Sequence, residues 1–198
     1  MKLGLVTYMI GSQWDVPTLI DKCSALGYQG VELRTTHAHG VELFLSAQER
    51  REVRARFADS DVTLWGLGTT CCYHAVDPAE VERNIAETKA WVQLAADVGA
   101  RGVKVRPNGF QEEAGISKER TLEQIGLAYR QCGEYAQEHG IELWMEVHGR
   151  GTSKPQHIRT IIDAADCDNC FVCWNSNPGE TDENGSIRAN FELLSPWI

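Results

Sequence analysis

Ile141-Glu-Leu-Trp-Met-Glu-Val-His-Gly149 alternates strictly: Ile141, Leu143, Met145 and Val147 are apolar, and Glu142, Trp144, Glu146 and His148 stand between them. Period-two alternation closed by a glycine is the signature of a β-strand. Its second face carries two carboxylates, a large aromatic ring and an imidazole. Glu146 and His148 come last, and a carboxylate and an imidazole two residues apart on one strand face can share a metal ion or a substrate hydroxyl. An edge strand with one wet face has the same pattern, so these nine residues leave both readings open.

Outward from this stretch, strand and helix patterns alternate along the whole chain. Upstream, Leu3–Met9 reads as a strand, and Ser12 to Tyr28 as a helix on the spacing of Leu19, Ile20, Cys23 and Leu26, with Gly27 as its stop. Gly30–Thr35 is a second strand, with Val31 and Leu33 opposing Glu32 and Arg34. Ser46-Ala-Gln-Glu49 is a capping box that opens a helix to about Asp59. Val62–Gly68 is the third strand and leads into a loop with Cys71, Cys72, Tyr73 and His74. Asp77-Pro78 caps a helix to Val98, since proline suits the first helical turn. Gly102–Arg106 is the fourth strand, with Lys104 and Arg106 on one face, and Ser117 to His139 the fourth helix. Downstream, Lys154–Ala165 is the fifth helix and Phe171–Asn175 the sixth strand, and a last helical pattern runs through Phe191, Leu193 and Leu194.

Such alternation implies a parallel sheet with right-handed crossovers, either open and doubly wound or closed into a barrel. The open form calls for a glycine-rich phosphate turn after the first strand, and Tyr8-Met-Ile-Gly-Ser-Gln13 is not one. A barrel calls for polar side chains on the inner faces, with reactive groups at the C-terminal strand ends. Strands two, four and five supply them. The expected fold is therefore α/β, a (β/α)8 TIM-barrel type of which residues 1–198 hold six βα units in a single domain. A full barrel takes ~250 residues.

The 198 residues carry a formal net charge of −9, which argues against a nucleic-acid surface. No apolar run approaches the roughly 20 residues of a membrane span. Met1-Lys-Leu-Gly-Leu5 reads straight into a strand rather than a leader. Seven scattered cysteines fit a reducing cytoplasm better than a disulfide framework. Cys167, Cys170 and Cys173 show Cys-x-x-Cys spacing twice, but zinc prefers four ligands, and strand rise would carry Cys173 ~10 Å beyond Cys170. Buried thiols are the expectation there.

Six motifs in register resemble the sugar phosphate isomerase/epimerase family, the xylose isomerase-like barrels that include the endonuclease IV branch. They are Lys2-Leu-Gly-Leu5, Gly30-Val-Glu-Leu-Arg34, His37-Ala-His-Gly-Val-Glu42, Ala95-Ala-Asp-Val-Gly-Ala100, Met145-Glu-Val-His148 and Cys173-Trp-Asn-Ser-Asn177. The resemblance implies a divalent metal held by carboxylates and a histidine ending strands five to eight. Glu146 matches the first ligand, and Asn175 stands where the family has Asp. The remaining two would lie on strands beyond Ile198. Oxygen ligands suit Mg²⁺ or Mn²⁺, and an added histidine admits Co²⁺ or Zn²⁺; with one carboxylate and one amide the metal is expected to be weakly bound or absent.

The chemistry implied is proton transfer at the carbon next to a sugar carbonyl. Glu146 would serve as ligand and acid/base, with His148 bonding substrate hydroxyls or relaying protons. His39, Tyr8 and Glu32 are candidate substrate contacts, and Lys104 and Arg106 could hold an anionic group. Each has a plainer reading. Lys104 and Arg106 can pair with Glu32 and Glu146 as an internal ion network, and His37 and His39 can be merely solvated. His74, His139 and His157 read as surface or helix-end residues, and Trp144 as filling. The expected partner is a small sugar, with no nucleic acid, no membrane and room for a homo-oligomer. The alternative functions are a degenerate barrel without catalysis and, against the acidic charge, a DNA repair endonuclease.

Overall fold

A computed structural model describes residues 2–175 and 181–198. Ser176 and Asn177, the last two residues of the sixth motif, lie outside the described residues. Six strands form one parallel sheet in sequential order, the topology of a β/α barrel: β1 (Gly4–Val6), β2 (Gly30–Arg34), β3 (Thr63–Gly68), β4 (Gly102–Val105), β5 (Glu142–Glu146) and β6 (Cys170–Cys173). The helices are α1 (Val16–Leu26), α2 (Ala47–Ala58), α3 (Pro78–Val98), α4 (Lys118–Glu138), α5 (Pro155–Ala165) and α6 (Arg188–Leu194). None of the described helices is long and apolar enough to cross a membrane. The chain divides into two compact units, residues 1–69 with 90–103 and 139–141, and residues 70–89 with 104–138 and 142–198.

In the first unit, local signals place the helices. Asp15 caps α1 by accepting the Thr18 N–H at 2.9 Å, and Gly27 ends it in the left-handed region at φ 76°. Ser12 to Asp15 therefore stay outside the helix, which starts later than apolar spacing alone suggests. Ser46 and Glu49 form the expected capping box of α2. β1 pairs with β2 so that Val6 faces Glu32, while the β2–β3 register slips between Val31 and Glu32 and sets Glu32 opposite Gly66. Gly68 makes room for that carboxylate, because a Cβ there would lie 2.6 Å from Glu32 Oε1.

In the second unit, α4 and α5 carry the core. Ile125, Ala128, Tyr129 and Cys132 of α4 are buried, as are Ile158, Ile161 and Ile162 of α5. Gly126 lets these helices touch; a Cβ there would meet Ala164 Cβ at 2.5 Å and Ile161 O at 2.8 Å. The Tyr129 hydroxyl lies 2.7 Å from Leu143 O and 2.8 Å from Phe171 O, tying α4 to the β5–β6 pair. In that pair Leu143 stands opposite Cys170 and Glu146 opposite Cys173.

The strands are shorter than the sequence pattern suggests. β5 ends at Glu146 and His148 follows it, although the Val147 N–H still donates to Cys173 O at 3.1 Å. The chain turns away at Gly149, at φ 100°, where any Cβ would overlap Asn108 O and Thr152 Oγ1. Likewise Asn175, Arg106 and Tyr8 follow β6, β4 and β1 rather than belonging to them. Trp144 is buried, and its indole N–H donates to Glu142 Oε2 at 3.0 Å.

Candidate functional site

Within the second unit, three side chains from separate strand ends meet at one carboxylate oxygen. Glu146 Oε1 accepts a hydrogen bond from Asn175 Nδ2 at 2.8 Å and lies 3.7 Å from Lys104 Nζ. The parallel β5–β6 register brings Glu146 and Asn175 together, as expected from their places near adjacent strand ends. The Asn175 amide also lies 3.5 Å from Val147 O. The side chains of Lys104 and Glu146 are 11% and 16% exposed, so the pair interacts through little water. The internal ion network foreseen for Lys104 thus exists toward Glu146.

The loops that follow β3, β4 and β5 carry buried polar atoms that nothing among the described residues satisfies: His74 Nδ1, Arg106 Nε and His148 Nδ1. Buried polar atoms are nearly always partnered in folded proteins, so three in neighbouring loops point to groups that interact with something else. Arg106 is fixed by its backbone N–H, which donates to Cys71 O at 3.0 Å. The His148 carbonyl accepts from Thr152 Oγ1 at 3.0 Å. His74 Nε2 lies 3.5 Å from Asn108 Nδ2, and burial lowers the His74 pKa, which favours the neutral ring. The backbone carbonyl of Asn108 accepts the Arg150 N–H at 3.0 Å, so the loops after β4 and β5 are tied together.

His74, expected at the surface from its sequence, is half-buried, and Asn108, outside all six sequence motifs, stands beside it. The available signal was the turn sequence Pro107-Asn108-Gly109, where Asn108 adopts φ 68°.

In the first unit the loop after β2 is bonded mostly to itself. His39 is 7% exposed; its Nε2 donates to Arg34 O at 2.7 Å and its Nδ1 accepts the Val41 N–H at 3.0 Å. Both ring nitrogens are thereby committed to backbone, and burial lowers its pKa. A substrate contact or proton relay at His39 would have to break one of these bonds. Glu42 secures the same loop, accepting Thr35 Oγ1 at 2.8 Å and the Thr36 N–H at 2.6 Å. Thr7 Oγ1 accepts the Arg34 N–H and lies 2.9 Å from His37 Nδ1. Glu32 is 8% exposed beside Gly68. Tyr8 is 56% exposed, with the Arg34 guanidinium stacked 4.6 Å from its ring centre.

Residues 20–176 match the sequence model of the xylose isomerase-like TIM barrel, and the chain belongs to that family. No curated protein matches the sequence. Among solved structures, D-psicose 3-epimerase with D-tagatose from Clostridium cellulolyticum H10 superposes with a TM-score of 0.80 at 18% identity, covering 98% of this chain and 71% of that one. 3-Keto-D-glucoside 4-epimerase from E. coli gives 0.80 at 13% identity, covering 100% and 76%. The IolI protein with a bound zinc atom gives 0.71 at 16% identity, covering 87% of this chain and 62% of that one. The chain thus spans less than two thirds of IolI. At these identities the likeness is one of fold.

The family and the zinc-bound neighbour raise the question of a metal here. Among the described residues no group of three or more His, Cys, Asp or Glu side chains is placed to hold an ion. Glu146 and Asn175 supply two oxygen-bearing side chains, but Glu146 Oε1 already faces an ammonium and an amide N–H. A dication seeking several oxygen ligands would have to displace both. The described residues do not fit a divalent metal.

Proposed function

We propose that the chain acts on a small keto sugar or its derivative as an isomerase or epimerase, moving a proton at the carbon next to the carbonyl. Membership in the xylose isomerase-like family supports the class. In the two epimerase names the inverted carbon neighbours the ketone, at C3 of psicose and C4 of a 3-keto-glucoside. The observation that carries the reading is the Lys104–Glu146–Asn175 trio: a carboxylate held in place by an ammonium and an amide.

In this reading Glu146 takes the carbon-bound proton and the electron pair moves onto the carbonyl oxygen. Lys104 and the Arg106 guanidinium stabilise the negative charge that develops there. Return of the proton from Glu146 to the same carbon restores the starting sugar; return to the former carbonyl carbon, with the hydroxyl proton passing from the neighbouring oxygen to the former carbonyl oxygen, gives an isomer. Inversion needs a donor on the opposite face, the role assigned to His148 with its unpartnered Nδ1.

The test is proton NMR of D-fructose, D-psicose and D-tagatose incubated with the protein in D₂O. Deuterium should enter at carbon beside the carbonyl with the wild type and not with Glu146→Gln, which keeps the shape of the side chain. Wild-type protein that exchanges no proton in these or related keto sugars would overturn the reading. One observation favours a second one: Lys104 and Asn175 satisfy Glu146 without any substrate, as in a barrel that binds a ligand but does not react. Saturable sugar binding without exchange would select it.

A further inference from the structure

Cys167-Asp-Asn-Cys170 joins α5 to β6, and the chain folds it into a tight turn in which the Cys170 N–H donates to Cys167 O at 3.1 Å. A turn closed by such a bond holds its end Cα atoms less than ~7 Å apart, which overlaps the separations that disulfides span. The side chains converge as well. A Cβ placed on Gly133 of α4 would lie 3.0 Å from Cys167 Sγ and in still closer contact with Cys170 Sγ. Both sulfurs therefore crowd the same point on the helix.

Three contacts from α4 fix this arrangement. Cys170 Sγ lies 3.5 Å from Tyr129 O, Asn169 Nδ2 donates to Gly133 O at 3.0 Å, and Arg130 pairs with Asp166 at 3.6 Å. Glycine in a helix interior is destabilising relative to alanine, and at position 133 the missing methyl is what admits the two sulfurs. The two thiols differ in access: Cys167 is half-buried and Cys170 is buried. Burial and the adjacent Cys167 raise the Cys170 pKa well above the usual thiol range, so Cys167 meets an outside reagent first.

We infer that Cys167 and Cys170 form a thiol–disulfide exchange site, a vicinal dithiol that reacts with low-molecular-weight disulfides of the glutathione type. The Cys167 thiolate attacks one sulfur of the small disulfide, forming a mixed disulfide and releasing one small thiolate. Cys170 then attacks Cys167 Sγ, loses its proton, closes the intramolecular bond and releases the second small thiolate. The two cysteines are oxidised by two electrons and the small disulfide is reduced to two thiols. The site is independent of the proposed sugar chemistry.

The test treats the folded 198-residue chain with oxidised glutathione, blocks remaining thiols by alkylation and maps the peptides by mass spectrometry. The expected product is a peptide with Cys167 linked to Cys170, two hydrogens lighter than the reduced form and reopened by dithiothreitol. Cys170→Ser should stop at glutathione attached to Cys167, and Cys167→Ser should give no internal link. Cys72 and Cys173, also half-buried, serve as internal controls within the wild-type digest. Wild-type protein in which Cys167 and Cys170 are both alkylated after oxidant treatment, or are linked to other cysteines, would overturn the inference.

Discussion

The Lys104–Glu146 pair can be tested by a double-mutant cycle with Lys104→Met, Glu146→Gln and the double variant. Two unit charges 3.7 Å apart in surroundings of effective dielectric ~20 attract by ~4–5 kcal/mol before desolvation is counted. Burying both groups takes back much of that gain. The Asn175 amide sustains the carboxylate when lysine is removed, since it donates to the same oxygen at 2.8 Å. A coupling energy of about 1–2 kcal/mol is the expected result, read from urea denaturation of all four proteins. The cycle also separates this pair from the other contacts of Lys104, because those are lost equally with and without the Glu146 charge. Coupling under ~0.3 kcal/mol would refute the pair as an energetic unit and, with it, the claim that Lys104 positions the Glu146 carboxylate.

Gly126→Ala should destabilise the fold by about 1 kcal/mol, because overpacking of ~1–3 kcal/mol against Ala164 Cβ and Ile161 O exceeds the ~1 kcal/mol that alanine gains in a helix. A raised urea midpoint would contradict the close approach of α4 and α5. His39, with its pKa lowered by burial, makes the unfolded chain bind more protons than the folded one. Stability should therefore fall as pH drops below the ordinary histidine value of about 6.5, level off below the folded-state pKa, and fall less steeply in His39→Gln. His37 and His74 contribute in the same direction, so the slope should shrink rather than vanish; an unchanged slope would remove His39 from the account. In Mn²⁺ calorimetry the chain should show no saturation below ~1 mM, and Asn175→Asp should tighten binding about tenfold by adding a charged oxygen ligand. Tight binding by the unaltered chain would mean that the ligands lie elsewhere.

Periodicity, caps and turns are local properties and legible in the residues: the six strand–helix units appear in the expected order, though with shorter strands, and the Ser46–Glu49 box and the Gly27 stop appear where the sequence places them. The meeting of Glu146 with Asn175 followed from register, since both stand near the ends of consecutive parallel strands. Side-chain commitments did not follow, because they depend on atoms brought together from distant positions. His39 looked like a free imidazole in a polar loop, but the loop folds so that two backbone groups take both nitrogens. His148 belongs to the alternating pattern, but β5 ends two residues before it and Gly149 turns the chain at φ 100°, where Asn108 O and Thr152 Oγ1 leave no room for a side chain. The two sulfurs over Gly133 likewise required a helix some 35 residues upstream to leave out one methyl group. Which elements form, and in what order, is a local matter, because backbone hydrogen bonding and apolar spacing are decided within a few residues. Which polar atoms are spent and which are left to act is a matter of packing, because it depends on what the folded chain brings within ~3 Å of them.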